Sequence, residues 1–131
     1  MKTPESKIIK TLVVEDEPTI QALCRRVLTL EGFEVDIAVN GKDAIDLIER
    51  NKYDFFLFDL KLPVMNGMEL YQWLLNKSPE MAASVIFLTG SVFSGDTAIF
   101  LNRTGRPYLS KPFTPDGFMD IVASTLKEIG I

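Results

Sequence analysis

The stretch FFLFDLKLPVMNG, residues 55–67, holds four consecutive apolar side chains, Phe55 to Phe58, that end on a lone acid, Asp59. A strand buried on one face alternates apolar and polar residues, whereas a run apolar at every position reads as a strand covered on both faces. Pro63 shapes the loop that follows, and Asn66 and Gly67 open a helix, so Asp59 stands at the carboxyl end of the strand. A buried run that delivers a single carboxylate to a loop edge calls for either a cap or chemistry.

Outward from this strand, short apolar runs alternate with helical patterns. The runs are IIKTLVV (8–14), FEVDIAV (33–39), DFFLFD (54–59), SVIFLT (84–89) and PYLS (107–110). The first helix carries Ile20, Leu23, Cys24, Val27 and Leu28 at i, i+3, i+4, i+7 and i+8, with Pro18 in its first turn and Gly32 past its end. A second spans about Asn40 to Arg50, with Ala44, Leu47 and Ile48 on one face. The third starts at Asn66 as N-cap with Glu69 three residues on, a capping box, followed by Leu70, Trp73 and Leu74. A fourth lies around Thr97 to Asn102, and a fifth opens on Thr114 and Pro115 and carries Phe118, Ile121, Val122, Leu126 and Ile129. Five strand–helix pairs in strict alternation predict an α/β fold: one doubly wound, five-stranded parallel sheet with five helices distributed over both faces. LVV, FFLF and VIFL fit central strands, and the more mixed second and fifth runs fit edges.

Composition narrows the function. The 131 residues suit one domain (1–131, core about 8–129), and 18 acids against 14 bases leave a net charge of −4, which argues against direct nucleic-acid binding. The lone Cys24 has no disulfide partner and falls in an apolar helical stripe, as expected of a reducing compartment. With no apolar stretch near twenty residues and no signal peptide, a cytoplasmic location away from membranes is expected. The absence of histidine removes Ser-His-Asp catalysis and histidine metal sites.

In a parallel sheet of this kind ligands bind at the carboxyl ends of the strands. The residues there are Glu15 and Asp16 after the first strand, Asp59 after the third, Thr89 after the fourth and Lys111 after the fifth. Clustered carboxylates repel one another unless a cation sits among them, and an oxygen-only donor set with few protein ligands suits Mg²⁺. A metal beside Asp59 leaves a carboxylate oxygen as nucleophile toward an incoming phosphoryl group, whose oxygens Lys111 and Thr89 would hold. These residues describe an aspartyl-phosphate site.

With VVEDEP (13–18), DFFLFDLKLPVMNG (54–67), VIFLTGS (85–91) and PYLSKPF (107–113) in this order, the chain resembles the response regulator receiver family, the chemotaxis-type phosphoacceptor domain. The resemblance implies the strand order 2-1-3-4-5 and a two-component signalling receiver, not a conventional enzyme. In such a receiver Asp59 accepts phosphate from the phosphohistidine of a histidine kinase or histidine phosphotransfer protein. It further implies Mg²⁺ ligation by Asp16, Asp59 and the backbone carbonyl of Lys61, with Glu15 helping; Lys111 as the phosphate-contacting lysine; and Thr89 and Tyr108 as a switch pair that alters a surface for a downstream protein target. Glu15 departs from the aspartate found there in many members. FLNRTGRPYLSKPF (100–113) also looks like receiver modules attached to hybrid sensor kinases. The turn from the fifth strand back toward Asp59, with Thr114 starting a helix at once, predicts a cis Lys111–Pro112 bond, and the resemblance agrees.

Taken singly, each residue has a structural reading: Glu15 and Asp16 as acids at a helix N-terminus, Asp59 and Thr89 as turn residues, Lys111 as a solvated loop lysine, Tyr108 as an edge-strand aromatic. Those readings do not explain why Glu15, Asp16, Asp59, Thr89 and Lys111 all lie at strand carboxyl ends. A haloacid-dehalogenase-type phosphotransferase needs a second Asp two residues after the nucleophile, where Lys61 stands. A flavodoxin-like cofactor binder needs a hydroxyl- and glycine-rich loop where EDEP stands. A phosphate-independent pseudo-receiver, the remaining alternative, would be expected to lack an acid, the Thr or the Lys, and none is missing.

Overall fold

The computed structural model describes residues 8–90 and 95–131. The elements run β1 (Lys10–Val14), α1 (Pro18–Leu30), β2 (Glu34–Ala38), α2 (Gly41–Arg50), β3 (Phe55–Asp59), α3 (Gly67–Lys77), α4 (Pro79–Ala82), β4 (Val85–Thr89), α5 (Gly95–Thr104), β5 (Tyr108–Ser110) and α6 (Pro115–Glu128). The five strands form one parallel sheet in the order β2-β1-β3-β4-β5, as expected. Ser91 of the VIFLTGS motif and the first seven residues lie outside the described residues.

The continuous apolar runs have the expected cause. Along β3, Phe56 and Phe58 enter one core with Leu12, Val14, Val85 and Phe87, beneath Ala44 and Ile48 of α2, Leu70 and Leu74 of α3 and Leu101 of α5. Phe55 and Leu57 enter the other, with Val13, Ile86 and Leu88, beneath Cys24, Val27 and Leu28 of α1 and Phe118, Val122 and Leu126 of α6. Alternate side chains thus serve opposite layers, and all five residues of β3 are buried. Full burial of each large apolar side chain contributes about 1.5–3 kcal/mol, which makes β3 a firmly anchored support for its terminal Asp59.

Helix boundaries follow local chemistry. Asn40 and Asn66 accept from the N–H groups of Asp43 and Glu69 at 2.8 and 2.9 Å, and Glu69 returns the bond to the Asn66 N–H, completing the capping box. Thr114 caps α6 by accepting from Gly117 N–H at 3.0 Å, one residue before Pro115. Gly32, with φ 86°, ends α1. The expected helix around Thr97–Asn102 is α5, somewhat longer than its apolar pattern.

One expectation needs correcting, because the described residues form six helices, not five. The additional α4 is a single turn, started by Ser78 Oγ accepting from Met81 N–H at 3.2 Å with Pro79 at its first position, and it buries only Ala82. It is too short to show an apolar period. The Lys111–Pro112 bond is cis, as expected.

Candidate functional site

At the carboxyl edge of the sheet the ammonium of Lys111 is the centre of a compact charged cluster. Its Nζ lies 2.8 Å from Asp59 Oδ2, 2.8 Å from Glu15 Oε1 and 2.9 Å from Glu17 Oε1. β1 positions the first acid: Glu15 N–H donates to Ala38 O at 3.0 Å, extending the β1–β2 ladder by one residue, and Gln21 Nε2 donates to Glu15 O at 2.6 Å. β3 delivers Asp59, whose Oδ1 accepts from Lys61 N–H at 3.0 Å. The lysine is fixed from behind by its own N–H donating to Thr89 O at 2.8 Å.

Most of these charges are buried, the exception being Glu17, whose side chain is 58% exposed. Glu15 is fully inaccessible, Asp59 and Thr89 are each 3% exposed, and the Lys111 side chain is 14% exposed. Oε2 of Glu15 accepts from Glu17 N–H at 3.1 Å, whereas Oε1 has the ion pair with Lys111 but no hydrogen bond of good geometry. Burial is the main reason that the Glu15 pKa is pushed up to about 7; Lys111 opposes the shift and the neighbouring Asp59 adds to it. For Lys111 burial works against the ammonium, but the carboxylates of Asp59, Glu15 and Glu17 outweigh it and hold its pKa above the ordinary lysine value.

Carboxylate oxygens of Glu15, Glu17 and Asp59 all lie within 4.8 Å of one another. Two buried acids and the exposed Glu17 surround one ammonium, and one fully buried oxygen, Oε1 of Glu15, is short of a hydrogen bond. That donor set fits a hard divalent cation. Asp16 is exposed and lines an adjoining cleft with Leu60, Lys61, Leu62, Pro63 and Asn66, on the loop side of Asp59. The structure therefore brings Glu15, Asp59 and Lys111 into contact, sets Asp16 and Lys61 together beside them, and buries Thr89 at the end of β4. Tyr108 is 44% exposed on β5, paired with Phe87 and two ladder steps before the Thr89–Ser110 pair. Sequence reasoning missed Glu17, although its signal was present in the third acid of EDEP, directly before the proline that starts α1.

Comparison with known proteins places the chain in a family. Residues 11–123 match the family model described as the response regulator receiver domain, and the chain belongs to that family. It is 30% identical over 115 residues to the probable transcriptional regulator ycf29 of Porphyra purpurea, an alignment covering 88% of this chain and 55% of that protein. Among solved structures, a CheY-like response regulator receiver domain protein from Methanospirillum hungatei superposes with a TM-score of 0.85 at 30% identity, covering 94% of this chain and 97% of the other. The response regulator protein TrrA of Thermotoga maritima, crystallised in complex with Mg²⁺–BeF, superposes with a TM-score of 0.79 at 28% identity, covering 91% of this chain and 100% of the other. The chain spans about half or less of the length of several curated relatives it matches, 55%, 20% and 42% in three cases. It is a receiver domain of the two-component response regulator type, a signalling domain and not a classical enzyme.

Proposed function

We propose that Asp59 is the phosphoacceptor of this receiver and that its donor is a phosphohistidine on a histidine kinase or histidine phosphotransfer protein. The observation that carries this reading is the carboxylate of Asp59 at the end of the fully buried β3, 2.8 Å from a lysine ammonium and within 4.8 Å of two further acids. In the transfer, an Asp59 carboxylate oxygen attacks the phosphorus of the phosphoimidazole. The new P–O bond forms as the P–N bond breaks, and the imidazole leaves with the electron pair and takes up a proton. The Lys111 ammonium moves from Asp59 Oδ2 onto a phosphoryl oxygen, giving a charge-assisted hydrogen bond to the group that gains negative charge at the acceptor. Thr89, buried at the adjoining strand end, supplies a hydroxyl to another phosphoryl oxygen.

Asp16, Asp59, the Lys61 carbonyl and Glu15 would hold Mg²⁺, with Glu17 close enough to join them. When bound, the ion supplies charge that screens the acids against the incoming phosphoryl group. The Mg²⁺–BeF complex of the Thermotoga relative supports Mg²⁺ as the ion.

Phosphorylation draws Thr89 toward the phosphoryl group and lets the exposed Tyr108 move inward, which reshapes the surface formed by α5, β5 and α6 for a downstream protein. A cytoplasmic setting is consistent with the donor chemistry, and no described helix is long and apolar enough to cross a membrane. The test compares wild type with Asp59→Asn, using acetyl phosphate and Mg²⁺ and measuring phosphoprotein by intact mass together with partner binding. Uptake and a binding response are expected in the wild type only; equal uptake in both would refute Asp59 as the acceptor, and partner binding by the wild type that is the same with and without phosphodonor would favour the phosphate-independent alternative.

A further inference from the structure

The loop that leaves Asp59, residues 60–66, is tied at three points. Leu60 O accepts from Gly67 N–H at 3.2 Å, Lys61 N–H donates to Asp59 Oδ1 at 3.0 Å, and Met65 O accepts from the N–H of Gly41, the first residue of α2, at 3.2 Å. Between the ties Met65 N–H donates to Pro63 O at 2.7 Å, so Val64 is the central residue of a γ-turn with φ 69°. A γ-turn with positive φ is rare and strained, and a β-branched residue in that region is an outlier. Val64 is 78% exposed, so no burial of its side chain explains the turn. The anchored ends impose it.

The anchor at Gly41 has no slack. A Cβ at this position would lie 2.7 Å from the Met65 carbonyl oxygen and 2.8 Å from both its Cβ and its Cγ. Because the closest of these is a backbone atom, a methyl group cannot be accommodated by a side-chain rotation; the loop itself must shift. Gly41 has no left-handed φ that would demand glycine, and α2 already has Asn40 as its cap. Glycine weakens a helix start, and what it permits here is the close approach of α2 to Met65.

We propose that Gly41 is a positioning residue for phosphoryl transfer, acting through Met65 and the stiff turn at Val64 on the Lys61 carbonyl and Asp59. The inference rests on the reading that Asp59 and Lys61 hold Mg²⁺. A methyl at position 41 displaces Met65 O; Val64, confined to few conformations, passes the displacement to Pro63 and Lys61 and misplaces a metal-facing oxygen. Glycine at position 64 adopts φ 69° without strain and also admits other conformations, so it preserves the native loop yet absorbs a displacement.

The experiment measures the Mg²⁺ concentration for half-maximal phosphorylation by acetyl phosphate, and the rate at saturating Mg²⁺, in wild type, Asp59→Asn, Gly41→Ala, Val64→Gly and Gly41→Ala/Val64→Gly. Gly41→Ala is expected to raise the half-saturating Mg²⁺ about tenfold, as for loss of a group that orients a metal ligand, with the saturated rate within about twofold. In the Val64→Gly background Gly41→Ala should raise the half-saturating Mg²⁺ by less than it does in the wild-type background. A folded Gly41→Ala protein with wild-type Mg²⁺ dependence, or a double variant that keeps the full defect, would overturn the proposal. Should Gly41→Ala not fold, amide exchange in the wild type decides: the Gly41 N–H should exchange more slowly when Mg²⁺ is bound, and unchanged exchange would refute the coupling. Wild type that takes up no phosphoryl group, or Asp59→Asn that takes it up equally, would instead remove the reading of Asp59.

Discussion

Lys111 Nζ is held 2.8 Å from Asp59 Oδ2 and 2.8 Å from Glu15 Oε1, so one ammonium neutralises two acids that are almost completely buried and that come from separate strands. The chain brings the three together only by folding the sheet, since Lys111 follows β5, Asp59 ends β3 and Glu15 follows β1. Breaking a buried pair by deleting one member is costly because the other charge stays behind without compensation.

Lys111→Ala should therefore destabilise the metal-free protein by about 3 kcal/mol at pH 8. The loss should shrink near pH 5, where Glu15 takes up a proton and one of the stranded charges disappears. Urea denaturation in EDTA at the two pH values measures the difference. Excess Mg²⁺ should recover part of the loss at pH 8, since the cation replaces the missing positive charge.

The raised pKa of Glu15 sets a second expectation, and its sign is the reverse of the usual carboxylate case. A group that ionises at about 7 in the folded protein and at an ordinary 4.5 when unfolded binds more protons in the folded state between those values. Stability must then fall as pH rises through this window. The raised Lys111 pKa acts elsewhere: its contribution is complete below the ordinary lysine value of 10.5 and is lost only as pH climbs through the still higher folded value. In EDTA, unfolding free energy should decline from pH 5 to pH 7 more steeply in wild type than in Glu15→Gln. A difference between the two proteins that stays constant over this range would contradict it.

Much of the fold was readable because its determinants are local. FFLF and VIFL are apolar at every position because β3 and β4 are covered on both faces, and Asn66 with Glu69 makes its cap within four residues. The site was readable for a related reason, since a parallel sheet sends all of its strand ends to one edge. What escaped depended on backbone direction inside loops. Glu15 and Asp16 are adjacent, yet one is fully buried and the other exposed, while Glu17, two residues from Glu15, turns back to Lys111. Glu15 was expected, but its isolation from solvent and raised pKa were not, because burial belongs to the assembled layers. The closeness of Gly41 to Met65 joins two segments with no sequence signal of their meeting.

Val64 shows the clearest conflict between residue and conformation. Valine disfavours positive φ, and a residue held in so sparsely populated a backbone region costs roughly 1–3 kcal/mol. The fold nevertheless places φ 69° there, with Gly41 and Gly67 tying the two sides of the loop. Asparagine, unbranched at Cβ, is found at positive φ more often than valine and does not carry the unfolded-state entropy of glycine. Val64→Asn should accordingly stabilise the protein by about 0.5–1 kcal/mol, and Val64→Gly by less, because part of its relief is offset in the unfolded chain. With Val64 exposed, little apolar burial is lost in either case. Chemical denaturation of the two variants beside wild type checks the order Asn, then Gly, then Val. If both substitutions lower stability, the side chain of Val64 contributes more to the loop than its exposure indicates, and the strain assigned to this turn is wrong.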